Sequence, residues 1–116
     1  MKKTVSLKEN HLFRRAYSRG KSAADSRLAL YVRGNGRREN RLGLTVSTKV
    51  GCAVVRNRVR RRLREIYRLH EDQVLGGRDV VVVARVRAAS SDYRQLERSF
   101  LRLADKLELL KKEGTK

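Results

Sequence analysis

The sequence predicts an α+β fold, with a mostly antiparallel sheet carrying helices on one face. Three observations lead there. Residues 28–32 and 42–46 alternate apolar and polar side chains, the mark of half-buried strands. Residues 55–70 and 96–110 repeat apolar side chains at helical spacing. "DVVVVARV", from Asp79 to Val86, is an almost unbroken β-branched run, as expected of a central buried strand. The order along the chain reads helix, two or three strands, helix, strand, helix. A length of 116 residues suits one domain.

The first helix is placed at about Lys8 to Arg19. Leu12, Phe13, Ala16 and Tyr17 recur at helical spacing, and Gly20 can end the turn. Ser6 stands three residues before Glu9, the pattern of a capping box. Residues 20–24 can add a short edge strand. In "SRLALYVRG", Leu28, Leu30 and Val32 face one way, and Ala29, Tyr31 and Arg33 the other. "GNGRREN" reads as a hairpin loop, and "RLGLTVS" as the returning strand with Leu42, Leu44 and Val46 on one face. A long helix follows, about Ala53 to His70. Its stripe of Val55, Val59, Leu63, Ile66, Tyr67 and His70 steps along one face. Gly76 and Gly77 break the chain before the valine run. Ser90 or Ser91 can cap a last helix, in which Leu96, Phe100, Leu103, Leu107 and Leu110 form a core-packing stripe.

Composition narrows the partner. Lysine and arginine total 30 against 12 acids, a formal charge of +18, while 40% of residues are hydrophobic, enough to build a core. Self-repulsion of this size disfavours the compact state unless a polyanion binds. Arginine dominates, and its planar fork suits phosphates and base edges. The charge concentrates in "VVRNRVRRRLRE", residues 54–65, where six of twelve positions are arginine. The apolar stripe takes one side of that helix and the arginines take the rest. A face kept basic only for solubility would mix signs. A membrane-surface helix would be expected to carry Trp, Phe or Leu and often to stand alone. Phosphate binding fits best, with Asn57 placed between arginines to reach a base edge or ribose. A preceding strand argues against a helix-turn-helix reader of DNA.

"KVGCAVVRNRVRRRLRE" resembles the signature of the bacterial ribonuclease P protein subunit family, with its Arg-Asn-Arg core preceded by Lys-x-Gly-x-Ala-Val. "HLFRRAYSRGKS" is similar to that family's first helix, "LALYV" and "RLGLTVSTKVG" to its strands, and "DVVVVARVRAA" to its last strand. The chain departs from the family pattern at Thr48, where lysine is frequent, at Cys52, where a polar residue is usual, near Arg87, where proline is commoner, and at Tyr17, where Phe is common.

The resemblance implies an α/β sandwich of the ribosomal protein S5 domain 2-like type, ordered α-β-β-β-α-β-α with a left-handed βαβ crossover. It implies a large RNA partner that carries the active site and its magnesium ions, the protein binding no cofactor itself. It implies a monomeric cytoplasmic protein, one copy per RNA, that binds this RNA through the arginine-rich helix. It also implies that the protein grips the 5′ leader of precursor tRNA between the first helix and the sheet, and that the complex removes the leader. Carried onto this chain, the RNA-facing set is Arg56, Asn57, Arg58, Arg60, Arg61 and Arg64. Arg62 stands at a variable position and is left outside the set. The leader set is Phe13, Tyr17, Tyr31, Ser47, Lys49 and Arg85. Aromatics that stack on bases beside cations that hold phosphates are the chemistry of single-strand binding. Plain core packing is the other reading of Phe13 and Tyr17, and a solvated surface that of Lys49 and Arg85.

Other chemistries find little support. His11 and His70 belong to no Cys/His group with metal spacing. The acids are scattered, with no pair set for acid–base work. "GNG" lacks the later glycine of a dinucleotide fingerprint. Cys52 lies among basic residues, which lowers a thiol's pKa, and is read as buried or inert. One cysteine allows no internal disulfide. "MKKTVSL" resembles the basic end of a signal peptide, but no apolar segment follows. The alternatives are a ribosome-associated RNA-binding protein of the same fold, a protein-only nuclease and a membrane-surface protein.

Overall fold

A computed structural model of the chain describes residues 1–112. Five strands, β1 (Thr4–Ser6), β2 (Lys21–Ala24), β3 (Leu28–Gly34), β4 (Asn40–Val46) and β5 (Arg78–Ala84), form one sheet in the order β1-β4-β5-β3-β2. Helix α1 (Asn10–Arg19) packs on one face; α2 (Ala53–His70) and α3 (Tyr93–Lys106) cover the other. The sandwich is the α+β architecture that the resemblance implies, with the short strand β1 standing ahead of the implied α-β-β-β-α-β-α order, and α2 joins the neighbouring parallel strands β4 and β5.

Two expectations about how the layers assemble give way. Pairings β2–β3 and β3–β5 are antiparallel, but β1–β4 and β4–β5 are parallel, so the sheet is mixed. Helices also lie on both faces, not one. The reason is the valine run itself. Val80 and Val82 point into the core under α2 and α3, while Val81 and Val83 point towards α1. A strand apolar on both sides needs cover on both.

β3 and β4 do not form a hairpin, because β5 lies between them. A hairpin would have left the most apolar strand with an unpaired edge. Instead residues 35–39 pass over the start of β5. The Asn35 backbone N–H donates to the Gly77 carbonyl at 2.9 Å, and its side-chain amide donates to the Glu39 carbonyl and to Asp79 Oδ1. Gly77 has φ +75°, and a Cβ there would stand 2.6 Å from the Arg37 carbonyl oxygen. The glycine pair marks this close crossing as well as a chain break.

At the N-terminus Ser6 lies in β1, paired with Leu42, and makes no capping box. Glu9 is the residue before α1 and caps it with no side-chain bond. Before α3 the cap is Asp92, not Ser90 or Ser91. Its carboxylate accepts from the Gln95 backbone N–H at 2.8 Å, and Gln95 Oε1 accepts from the Asp92 N–H at 2.9 Å. The Ser91 hydroxyl is already committed, donating to the Arg87 carbonyl and accepting from Arg27 Nε. Leu96, Phe100 and Leu103 are buried as expected, but α3 ends at Lys106. Glu108, with φ 58°, then turns the chain so that Leu109 becomes a core residue.

Glu71 follows α2 and ties down the N-terminal segment. Its carboxylate accepts from the backbone N–H groups of Lys2 and Lys3 at 3.1 and 3.2 Å. Burial pushes this carboxyl up, but the hydrogen bonds it accepts outweigh burial and hold it below the usual carboxylate range. Its stabilising effect is therefore present above the unfolded value of about 4.3. It is lost as pH falls through the lower folded value. Thermal melts across this range should show an acid-side loss of stability that flattens in Glu71→Gln, with Glu71→Gln less stable than the parent at neutral pH. An acid limb unchanged by the substitution would contradict the assignment.

Candidate nucleic-acid interface

α2 carries its arginines where its periodicity puts them. Val59, Leu63, Ile66 and Tyr67 are buried. At 3.6 residues per turn, Asn57, Arg61 and Arg64 project within roughly 60° of one another, opposite that stripe. Asn57, Arg58, Arg61 and Arg64 are exposed, while Arg56 and Arg60 are half-buried at the flanks. Arg60 Nη1 donates to Asn57 Oδ1 at 3.0 Å, which orients the amide between the arginines. Arg62 differs in use: its Nη1 donates to the Ser91 carbonyl at 3.0 Å and braces the loop before α3. Nearer the C-terminal end, Arg68 pairs with Glu65, which closes the unpaired run. Cys52, at the N-cap of α2, is exposed rather than buried. The backbone N–H groups of Val55 and Val54 hold its thiol below the usual range.

The second surface lies on the α1 side of the sheet. Tyr17 and Tyr31 meet edge to face with ring centroids 4.9 Å apart, and Phe13 follows at 6.4 Å from Tyr17. Tyr17 is 40% exposed, and its hydroxyl shares a hydrogen bond of 3.1 Å with Thr45 Oγ1. Phe13 is half-buried and has a packing role as well, in the small core of Leu7, Leu12, Ala16 and Val81. The pairing of Val46 with Ala84 places Ser47 and Arg85, the residues that follow, at one end of the sheet. Lys49 sits just beyond, in a 3₁₀ turn spanning Thr48–Val50. All three are exposed. Arg85 Nη1 donates to the Asp25 carbonyl at 3.0 Å, so its guanidinium is partly committed within the fold.

Two residues escaped the sequence reading. Gly43 seats Phe13: a Cβ there would meet the ring at 2.6 Å. A glycine inside a strand often marks a close approach of this kind, so "LGL" held the signal. Thr45, which positions the Tyr17 hydroxyl, gave none. The two surfaces also meet. Arg60 and Arg64 line a cavity of about 190 Å³ together with Phe13, Leu7, Leu42 and Leu44. The arginine face and the aromatic strip, on opposite faces of the sheet, thus come together around its β1 edge. Among the described residues, no three metal-ligating side chains gather, and no helix is long and apolar enough to cross a membrane.

Known proteins share this fold. The Ribonuclease P family model matches residues 1–108. The ribonuclease P protein component of Natranaerobius thermophilus is 44% identical over 112 residues, covering 97% of both chains. That of Alkaliphilus metalliredigens is 40% identical over 110 residues, 95% of this chain and 99% of the relative. The Staphylococcus aureus RNase P protein superposes with a TM-score of 0.85 at 31% identity, over 91% of this chain and 97% of that one. The Thermotoga maritima RNase P protein gives 0.76 at 29% identity, over 84% and 92%. With a family model spanning nearly the whole chain and relatives matched end to end, this chain belongs to the ribonuclease P protein component family.

Proposed function

We propose that α2 is the surface on which the RNA subunit of ribonuclease P seats, and that the aromatic strip receives the 5′ leader of precursor tRNA. Family membership makes the chain a subunit of a ribonuclease that works with RNA in tRNA processing, and it does not favour the ribosome-associated alternative. The observation that carries the reading is the adjacency of two surfaces of different chemistry. One is a rigid row of arginines with few intramolecular partners. The other is three touching aromatic rings with cations beyond them.

Each surface suits its ligand. Arg58, Arg61 and Arg64 at fixed helical spacing match a phosphate backbone, with Arg56 and Arg60 at the flanks and Asn57 offering a polar contact to a base edge or ribose. On the other side, Tyr17 and Tyr31 offer faces for unstacked bases, while Ser47, Lys49 and Arg85 meet the sugar-phosphate chain.

In this reading the chain has no cutting chemistry of its own. Asp79 and Glu71 are buried and occupied by Arg41 and by backbone donors. Glu65 and Glu39 are paired with Arg68 and Arg37. Magnesium ions at the RNA active site would supply the hydrolytic chemistry. The protein neutralises phosphates and holds the leader in line, as one monomer per RNA in the cytoplasm.

The test combines the protein with a ribonuclease P RNA at low magnesium and follows cleavage of a precursor tRNA. Efficient cutting is expected only from the mixture. Phe13→Leu keeps much of the packing against Gly43 but removes the ring, and Tyr17→Ala removes the exposed face. Each should weaken precursor binding by about 1–3 kcal/mol per stacked base, and leave affinity for the RNA subunit unchanged. Cleavage by the protein alone, or no gain with the RNA, would overturn the reading.

A further inference from the structure

A second basic cleft lies at the end of the sheet where β2 and β5 begin and β3 ends. Arg19 at the end of α1, Lys21 at the start of β2, Arg33 near the end of β3 and Arg78 at the start of β5 converge on a cavity of about 610 Å³. Val32, Leu75 and Leu107 also line it, and Glu108 is its one acid. Among the described residues, Arg19, Lys21 and Arg33 make no ion pair, and their side chains make no hydrogen bond. Arg78 Nη1 donates to the Gly76 carbonyl. The backbone that presents Arg19 and Lys21 is held in place by Gly20, whose N–H donates to the Ala16 carbonyl at 3.0 Å. A Cβ at Gly20 would stand 2.5 Å from that carbonyl oxygen and 2.9 Å from the Val32 oxygen.

We propose that this cleft binds the phosphodiester backbone of a single RNA strand continuing beyond the aromatic strip, namely the distal part of the precursor leader. The proposal rests on the leader assignment above. Continuity favours it: Arg33 is two residues from Tyr31 on the same strand face, roughly 6.6–6.8 Å along β3, and Arg19 ends the helix that carries Tyr17. Shape favours it as well. A recess with an apolar lining and cations from four elements admits an unstacked nucleotide, whereas a duplex offers its phosphates on a convex surface.

The experiment uses the reconstituted holoenzyme and precursor tRNAs with leaders of about 4 and about 16 nucleotides, the span over which single-strand sites range. The parent protein should bind the long leader more tightly. Arg19→Ala with Lys21→Ala, both at exposed side chains, should weaken long-leader binding by about tenfold at low salt. It should also reduce the salt slope by about 1.4, the loss of two contacts on a single strand. Short-leader affinity should not change. Arg33→Gln, made separately, should shift the same quantity in the same direction. The proposal is overturned if the parent shows no length effect, if the variants keep it, or if they weaken only the RNA subunit. Failure of Tyr17→Ala to weaken the short leader would count against the leader assignment itself, which separates the two failures.

Discussion

Replacing Arg58, Arg61 and Arg64 together by alanine is expected to lower affinity for the RNA subunit by about 10³-fold, while the fold keeps its stability. Hydrogen bonds to charged groups contribute about 1.5 kcal/mol or more each, and three of them account for that factor. Three contacts to paired RNA should also reduce the salt slope by about 2.7, taking roughly 0.9 per neutralised phosphate. The three side chains are exposed and make no hydrogen bond among the described residues. Alanine is the better helix former, and relief of like-charge repulsion adds in the same direction. Arg62→Ala is the contrasting case. It cuts the bond to the Ser91 carbonyl, so it should cost about 1 kcal/mol of stability and little RNA affinity. Titrations at several salt concentrations, with thermal melts of the free proteins, separate the two effects. A triple variant that loses affinity only in proportion to lost folding would contradict the assignment of α2.

Arg41→Ala should be the most destabilising single change at a polar site, costing about 3–5 kcal/mol. Asp79 is fully buried, and its carboxylate accepts from Arg41 Nε at 2.7 Å and Nη2 at 3.0 Å. Removing the guanidinium leaves the charge with only the Asn35 amide. Asp79→Asn should cost less, because the Arg41 side chain is 16% exposed and can turn to water. At the lower end of a total stability of about 5–15 kcal/mol, this loss brings the Arg41→Ala protein close to half-unfolded in the absence of polyanions. Bound RNA subunit at about 100 times its dissociation constant should restore about 2.7 kcal/mol. Urea midpoints with and without RNA measure both quantities. A shift below about 1 kcal/mol would show that the pair is not what holds β4, β5 and the 35–39 crossing together.

Both predictions draw on different kinds of legibility. The bounds and apolar stripe of α2 were readable, because one periodicity sorted apolar from cationic positions; that Arg62 braces the loop before α3 was not. The family resemblance in the same segment implies RNA contacts for Arg56, Arg58, Arg60, Arg61 and Arg64 and leaves Arg62 aside. The aromatic strip was readable in part: Phe13 and Tyr17 share a helical face, and Tyr31 stands opposite the apolar side of its strand. That Tyr17 meets Tyr31 required α1 to cross the sheet; the glycine in "LGL" marked a close approach at Gly43 but not the helix that makes it.

Strand partners were the least readable feature. Local alternation identifies a strand and its faces but not its neighbour. "GNGRREN" has the composition of a hairpin loop, yet the strands it joins are separated by one that arrives some thirty residues later. The three-residue β1 was too short for any period to show. Serine at 90 and 91 looked like a cap until the preceding 3₁₀ turn, Val86–Ser90, claimed the Ser91 hydroxyl.

The sequence by itself determined the partner class, the long basic helix with its two sides, and the central position of the valine run. These depend on composition and on period, which are local. Only the folded chain places β5 between β3 and β4, sets α1 opposite α2 and α3, and brings Arg60 and Arg64 to the same cavity as Phe13. The physical reason is that a strand buried on both faces must be covered twice and paired on both edges. The elements that satisfy it come from distant parts of the chain.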